Sequence, residues 1–309
     1  MLNALQKEIK KLSRLYRSVA MLALTHGQPA TPTTFGKEMT VFHRRLNRQE
    51  TLLKEQRLQG KISGATGTWA AHTVAYPAID WIRFSGRFVK RFGLDPNPVT
   101  TQIEPHDSLA ESYHILSRIN SILIDFTRDM WLYISRAILG QKKIAGETGS
   151  STMPHKINPI YFENAEGNCG LANAVLNHLA SKLTVSRMQR DLSGSTVVRN
   201  QGVALGHSLV GLNNLVKGID RITINQENMS AELNKHWEVL AEAIQTILRK
   251  NGYPGAYNKL KNLTRGNNLD QATIHKLISD LNITSDDKNN LLKLTPADYT
   301  GLAHKLAQL

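Results

Sequence analysis

Gly149-Ser150-Ser151-Thr152-Met153-Pro154-His155-Lys156-Ile157-Asn158-Pro159, closing with Glu163, packs hydroxyls, a cation, an amide and a carboxylate into one short segment. Gly149, Pro154 and Pro159 interrupt any regular helix there. A loop that gathers a hydroxyl, an ammonium and an amide suits an anionic, oxygen-rich substrate. By composition alone the segment is a polar connector between two helices. Its fixed order, Ser-Ser-x-Met-Pro-x-Lys-x-Asn-Pro, is more particular than a connector needs.

Outward from this loop the chain reads as long helices. Downstream, Ala165, Cys169, Ala172, Leu176, Leu179 and Leu183 recur at four and three, as do Leu205, Leu209, Leu212 and Val216. Upstream, Ile115, Ile119, Ile122, Phe126, Met130, Tyr133 and Ala137 mark another long helix. No proline falls between Pro105 and Pro154, or between Pro159 and Pro254. Near the start, Leu5, Ile9, Leu12, Tyr16 and Val19 form one amphipathic face, and the stretch from Leu24 to Pro32 breaks it. A second helical run covers about Thr33 to Leu58, with Met39, Phe42, Leu46 and Leu53 on one face. Gly60 to His72 reads as a loop, and Asp95-Pro96-Asn97-Pro98 as a turn.

Strand-like alternation is nearly absent, so the expected fold class is all-α, a long-helix bundle. Several faces are apolar over more turns than one bundle needs, which points to helices shared between subunits. Around Asp220 the pieces shorten, with breaks at Gly252-Tyr253-Pro254-Gly255 and Gly266-Asn267-Asn268 and helix starts at Thr284-Ser285 and Thr295-Pro296. The expected domains are therefore residues 1–219, a central helical bundle, and 220–309, a smaller C-terminal helical domain.

The 309 residues are 41% hydrophobic, and no apolar run approaches membrane-spanning length. The N-terminus lacks the order of a signal peptide, and a single cysteine, Cys169, excludes an intrachain disulfide or a cysteine metal cluster. These features favour the cytoplasm. The net charge of +13 raises the question of anionic partners. Lys and Arg are scattered, with no aromatic-studded basic stripe in this reading, so nucleic acid is not an expected partner, nor is a membrane.

Three further segments carry chemistry. Thr25-His26-Gly27-Gln28-Pro29-Ala30-Thr31-Pro32 sets one histidine among hydroxyls at a backbone irregularity. A lone histidine is more often a structural hydrogen-bonder, but imidazole titrates near neutrality and suits proton delivery to a leaving nitrogen. Thr100-Thr101-Gln102-Ile103-Glu104-Pro105-His106-Asp107 reads as a helix N-terminus capped by Asp107. The stretch from Arg187 to Asn200 reads as a phosphate site. Ser195 and Arg199 are four apart on one helix face, Gly194 turns the chain before that helix, and Arg190 adds a planar fork of donors. Its bland reading is a solvated basic helix end.

The loop of residues 149–163 resembles the signature of the fumarase/aspartase superfamily, whose members eliminate fumarate from substituted succinates. The segments at 25–32, 100–107 and 187–200 resemble those of the adenylosuccinate lyase family, of the bacterial type, over nearly the whole chain. Fumarase, argininosuccinate lyase and aspartase share the signature but are not expected to share the Gln102 and Arg190–Arg199 segments. The resemblance implies an all-α subunit, a homotetramer with a twenty-helix core, and active sites shared among three subunits. It implies β-elimination of fumarate from adenylosuccinate and from the succinyl-carboxamide ribotide of purine synthesis, with no metal or organic cofactor.

It also implies site roles. Ser150 is the base, its alkoxide stabilised in the closed loop with Lys156 the nearest cation in sequence. His26 is the acid, and Thr25 beside it binds substrate. Glu163, thirteen residues after Ser150, pairs with the catalytic histidine. Lys156 and Asn158 hold the succinyl carboxylates, Gln102 binds substrate, and Arg190, Ser195 and Arg199 bind phosphate. The family's His-Asp and Thr-Ser-x-Asp segments do not occur here, and the first helix starts in phase without a cap. The expectation is a C-terminal portion of the enzyme with little or no activity alone. The competing expectations are another lyase of the superfamily, argininosuccinate lyase-like and acting on a non-nucleotide succinate, and a non-catalytic helical assembly protein.

Overall fold

The computed structural model describes residues 1–143, 153, 155–253 and 269–309. In chain order the elements are α1 (Leu2–Leu15), β1 (Ala20–Thr25), β2 (Gln28–Thr34), α2 (Phe35–Glu55), β3 (Gln59–Gly60), α3 (Ala70–Ala75), α4 (Trp81–Lys90), β4 (Asp95–Pro96) and α5 (Asp107–Ser135). They continue with β5 (Leu139–Gln141), α6 (Ile160–Leu183), α7 (Ser193–Val198), α8 (Gln201–Arg221), β6 (Ile222–Ile224) and α9 (Gln226–Asn234). A 3₁₀ turn (Trp237–Leu240) then precedes α10 (Ala241–Lys250), α11 (Gln271–Ser279), α12 (Ser285–Lys293) and α13 (Ala303–Leu306). Helices dominate, as the spacing predicts. The described strands pair only two by two: β1 with β2 and β5 with β6 antiparallel, β3 with β4 parallel.

The chain divides into two compact units. The first comprises Met1–Leu5, Arg44–Trp131 and Asn158–Asp220. One of its clusters joins Ala110 and Tyr113 of α5, Leu176, Leu179 and Leu183 of α6, and Ala204 of α8. The predicted stripe of α6 is buried throughout. On α5 the isoleucines, Phe126 and Met130 are buried, while Ala137 lies past the helix end, exposed, at φ 54°. Burial pushes the Cys169 thiol up to about 12, so this cysteine is an inert core residue.

α8 departs from the expectation. Its buried face is Ala204, Ser208, Gly211, Leu215, Gly218 and Ile219. Leu205 and Leu209, from the apolar repeat that the sequence singles out, are 44% and 48% exposed. Both faces obey the helical period, and contact distance decides between them. A Cβ on Gly211 would stand 2.6 Å from Cys169 Sγ, and one on Gly218 would stand 3.0 Å from the Phe162 ring. Only small side chains let helices approach this closely, so leucines cannot stand at the Gly211 and Gly218 contacts. Asn120 Nδ2 donates to Ser208 Oγ at 2.9 Å across the buried face.

α4 carries a pattern that the sequence analysis does not single out. Asp80 caps it by accepting from Arg83 N at 3.0 Å, and Ser85 and Val89 are buried. Trp81, Phe84, Phe88 and Phe92 run as a ladder with centroid spacings of 5.4, 6.4 and 5.2 Å. Phe84, Phe88 and Phe92 are exposed, and Arg83, Arg87, Lys90 and Arg91 share the segment. This is the aromatic and basic stripe missed in the sequence, where the charges are interleaved rather than run together. Its rings pack on one another in an edge-to-face and stacked ridge.

The second unit comprises Gln6–His43, Leu132–Ile157 and Arg221–Leu309. Helix α1 ends at Leu15, short of the expected Val19. Gly36 permits its C-terminal end to lie on the first turn of α2, where a Cβ would stand 2.3 Å from the Ser13 carbonyl oxygen. Ser13 Oγ bonds Thr40 Oγ1 at 2.6 Å and donates to the Ala307 carbonyl at 2.7 Å. A C-terminal core joins Trp237, Leu240, Ile244, Leu248, Ile274 and Ile278. Thr284 caps α12, as expected, with Oγ1 accepting from Asp287 N at 3.3 Å. The expected helix start at Thr295-Pro296 is instead a turn, in which Thr295 Oγ1 donates to Asp298 at 2.6 Å. The predicted break at residues 266–268 lies outside the described residues.

Asp287 ties α12 to α10. Its carboxylate accepts from Asn251 Nδ2 and Lys250 Nζ, both at 2.8 Å. The Asn251 bond, then the Lys250 ammonium, pull its carboxyl down to about 2. A depressed folded-state value contributes stability above the unfolded carboxyl value, roughly 3.9, and that stability is lost as pH falls toward 2. Asp287→Asn is expected to lower the thermal midpoint near neutrality and to flatten the midpoint's dependence on pH in this window. Circular-dichroism melts across the acid range measure it; an unchanged slope would remove Asp287 from the acid response.

Candidate active site

His26 sits at the tip of a β-hairpin. Thr25 pairs with Gln28, so His26 and Gly27 form a two-residue turn with φ 53° and 72°. Two-residue hairpin turns whose twist matches their strands need positive φ at both central positions. Glycine meets this without cost, whereas a histidine in the left-handed region costs about 1–3 kcal/mol. The sequence reading made this segment an irregular helix break. The prolines that prompted it, Pro29 and Pro32, lie in β2, which pairs on one side only, with β1. The imidazole and Thr25 are both exposed.

The rest of the hairpin is anchored within its unit. Leu22 is buried with Leu233 and Val239. Thr33 Oγ1 donates to Glu38 at 2.7 Å. Glu242 Oε2, in the first turn of α10, accepts from Thr31 Oγ1 at 2.5 Å and from Tyr299 OH at 3.1 Å. Burial, then the Glu242 bond and charge, raise the Tyr299 phenol to about 12.

In the first unit the two segments read separately as Gln102 and Arg187–Asn200 come together. Gln102 N donates to the Gln189 carbonyl at 3.2 Å. Beside this junction lies a pocket of about 160 Å³, whose walls include Ile103, His106, Arg190, Asp191, Gly194 and Ser195. Arg190 and Arg199 are exposed, and their guanidinium groups make no hydrogen bond or ion pair among the described residues. Asp191 is heavily engaged: it accepts from Ser193 N at 2.8 Å, Ser193 Oγ at 2.6 Å and Arg187 Nη1 at 2.9 Å. The Ser193 hydroxyl, then its N–H, then Arg187 hold its carboxyl well below the usual carboxylate range.

The helix expected to supply free N–H groups there is α7, only six residues long. Its Ser193 N–H is taken by Asp191, and the Ser195 N–H by the Leu192 carbonyl at 3.1 Å. Ser195 Oγ donates to the same carbonyl at 2.7 Å. In this arrangement its lone pairs cannot serve an anion, which leaves Arg190 and Arg199 as the candidate donors. Arg199 follows α7 with helical dihedrals, which keeps it near the Ser195 face.

Ser150 lies outside the described residues. Lys156 is exposed, with its N–H on the Met153 carbonyl at 3.1 Å. Asn158 is half-buried at the entry to α6. Glu163, in the first turn of α6, accepts from the Trp131 indole at 3.1 Å. Trp131 escaped the sequence reading. So did Gln189, Asp191 and His106, whose Nδ1 is buried without a partner among the described residues. The last three sat inside quoted segments, but nothing in the sequence tells a wall residue from its neighbours. Lys61 was also missed, hidden in a small-residue loop, and it bonds the carbonyls of Thr101 and Gln102 at 2.9 and 2.8 Å.

Residues 1–173 match the family model described as Lyase, and residues 186–300 match that described as Adenylosuccinate lyase C-terminal. The chain is 52% identical over 300 residues to adenylosuccinate lyase of Legionella pneumophila (strain Corby), covering 97% of this chain and 66% of that protein. It is 51% identical over 295 residues to adenylosuccinate lyase of Escherichia coli (strain K12), covering 96% and 65%. Among solved structures, the 3-carboxy-cis,cis-muconate lactonizing enzyme from Pseudomonas putida shares the fold at TM-score 0.76 and 21% identity, covering 99% of this chain and 69% of that one. A fumarate lyase from Mesorhizobium sp. BNC1 does so at TM-score 0.74 and 16% identity, covering 99% and 70%. The chain thus spans about two thirds of the length of these curated relatives. The fold is that of the fumarase/aspartase superfamily of lyases. Within that superfamily, the chain belongs to the adenylosuccinate lyase family.

Proposed function

We propose that this chain carries out the C–N lyase chemistry of purine biosynthesis: β-elimination of fumarate from adenylosuccinate, leaving AMP, and from the succinyl-carboxamide ribotide. The observation that carries this reading is the junction of the Gln102 segment with Gln189, beside a pocket walled by Arg190. A nucleotide needs both a contact for its base and a cationic seat for its phosphate. Exposed arginines without protein partners fit a doubly charged phosphate.

In this mechanism Ser150 takes a proton from the carbon beside a succinyl carboxylate. The electron pair left there forms the fumarate double bond as the C–N bond breaks, and His26 delivers a proton to the departing nitrogen. Lys156 and Asn158 stabilise the carboxylates as negative charge accumulates. Glu163 is assigned to pair with His26, raising its basicity so that it is protonated before the bond breaks. The left-handed backbone at His26 supports the assignment, because strain of this kind collects at functional positions. We place the enzyme in the cytoplasm; no helix among the described residues is long and apolar enough to cross a membrane.

We also propose a homotetramer with active sites shared between subunits. Leu205, Leu209 and Val210 on α8 and Leu171 on α6 are 43–49% exposed. Long helices with an apolar outer face alongside a filled inner one are built to pack on further helices. Leu209→Arg is expected to shift the protein to smaller species in light scattering after size exclusion, with helicity retained. An unchanged mass would place the interface elsewhere.

The function is tested by ultraviolet-monitored turnover of adenylosuccinate, with the chain alone and with the remaining third of a relative supplied as a separate polypeptide. Turnover of a non-nucleotide succinate instead would move the chain to another branch of the superfamily. Arg199→Ala should weaken nucleotide binding by about 1.5–3 kcal/mol for a lost charge-assisted bond. Isothermal titration measures it, and unchanged affinity would remove Arg199 from the phosphate site. Ser150→Ala and His26→Ala should each nearly abolish turnover while substrate still binds, and the double variant should be little worse than either. Near-normal turnover by Ser150→Ala would move the base, first to Ser151.

A further inference from the structure

Lys61 occupies an unusual position for a lysine. Its ammonium donates to three backbone carbonyls: Gly64 at 3.1 Å, Thr101 at 2.9 Å and Gln102 at 2.8 Å. A primary ammonium has three N–H donors and no acceptor, so none remains for a ligand. The group is half-buried, and burial lowers its pKa from the usual lysine value. Three converging carbonyls around one cation resemble a coordination shell more than a surface ion pair.

The same loop grips the Thr100–Gln102 segment at two other points. Gly67, at φ +81°, lies so close that a Cβ there would stand 1.9 Å from the Thr100 carbonyl oxygen. Ser63 Oγ lies 3.2 Å from Thr100 Oγ1. On the far side, the N–H of Gln102 is held by the Gln189 carbonyl. Both backbone polar groups of Gln102 are therefore engaged, its C=O by Lys61 and its N–H by the phosphate-site segment. Its exposed side-chain amide has no partner among the described residues.

We propose that Lys61 is a positioning residue for the nucleotide site. Its ammonium acts as a built-in cation that locks the Gln102 backbone and so aims the Gln102 amide at the substrate. It does not touch the substrate itself. Positional errors near 1 Å are costly for a group that must meet a ligand in one orientation. The inference rests on the reading of Gln102 as a substrate contact.

The test uses the full chain with AMP as probe. Lys61→Ala is expected to weaken AMP binding about tenfold, matching Gln102→Ala, and the double variant should be no weaker than either single one. Methylammonium should restore binding to Lys61→Ala because it can donate to the emptied carbonyls. Tetramethylammonium, which has no N–H, should not. Without any ligand, amide exchange in the 99–105 segment should accelerate in Lys61→Ala and slow again with methylammonium. Lys61→Met keeps the packing of the stem and replaces the alanine variant if that one fails to fold. Unchanged AMP affinity in Lys61→Ala beside weakened binding in Gln102→Ala would overturn the positioning role, as would losses that add and ignore methylammonium. An inert Gln102→Ala would instead overturn the reading of Gln102, and the aiming role with it. Unchanged exchange at 99–105 would overturn the lock itself.

Discussion

The close approach of α6 and α8 is the constraint on which the first unit depends. Gly211 faces Cys169 and Gly218 faces the Phe162 ring, at separations that leave no room for a methyl group. That seam uses up the small-residue face of α8 and turns Leu205 and Leu209 outward, while Leu215 stays buried. One packing choice thus fills the core of the unit and also creates the apolar outer surface through which we propose that subunits assemble. The two cannot be exchanged, because a leucine at Gly211 or Gly218 would force the helices apart and expose the buried Asn120–Ser208 bond.

The period of α8 was legible in the sequence, but its phase was not. Leu205-Leu209-Leu212-Val216 and Ala204-Ser208-Gly211-Leu215 satisfy the same spacing, and hydrophobicity favours the wrong one when a single chain is assumed. α6 posed no such conflict, since its apolar stripe was also its closest-packed face. The hairpin at Ala20–Thr34 failed for another reason. Proline and glycine signal an end to helix, yet they do not distinguish a loop from a turn of two residues between paired strands. The aromatic ladder of α4 was missed because its cations are interleaved with the rings.

The candidate site was legible as a set of segments and not as an arrangement. Order of residues singled out Gln102 and Arg190, but sequence cannot show that the Gln102 N–H meets the Gln189 carbonyl. Nor could it show that Lys61 reaches forty residues ahead to grip the same backbone. Such contacts run through main-chain atoms, which every residue possesses, so composition carries no trace of them. The small residues between Gly60 and Gly67 hinted at close approach and were read only as a loop.

The charge balance of the pocket follows from the same local bonding. A carboxylate in the wall of an anion site would ordinarily oppose phosphate binding. Asp191 is in that wall, yet its oxygens are taken by the Ser193 N–H and hydroxyl and by Arg187. Its charge is thereby paired with Arg187 and spent on holding the turn into α7. Arg190, in the same wall, and Arg199 make no ion pair among the described residues and are the cations we propose for a phosphate. The same pairing explains why the six-residue α7 need not act as an anion-binding helix end. The Ser193 and Ser195 N–H groups serve the turn, and in the site we propose the guanidinium groups supply the attraction that a longer helix would otherwise contribute.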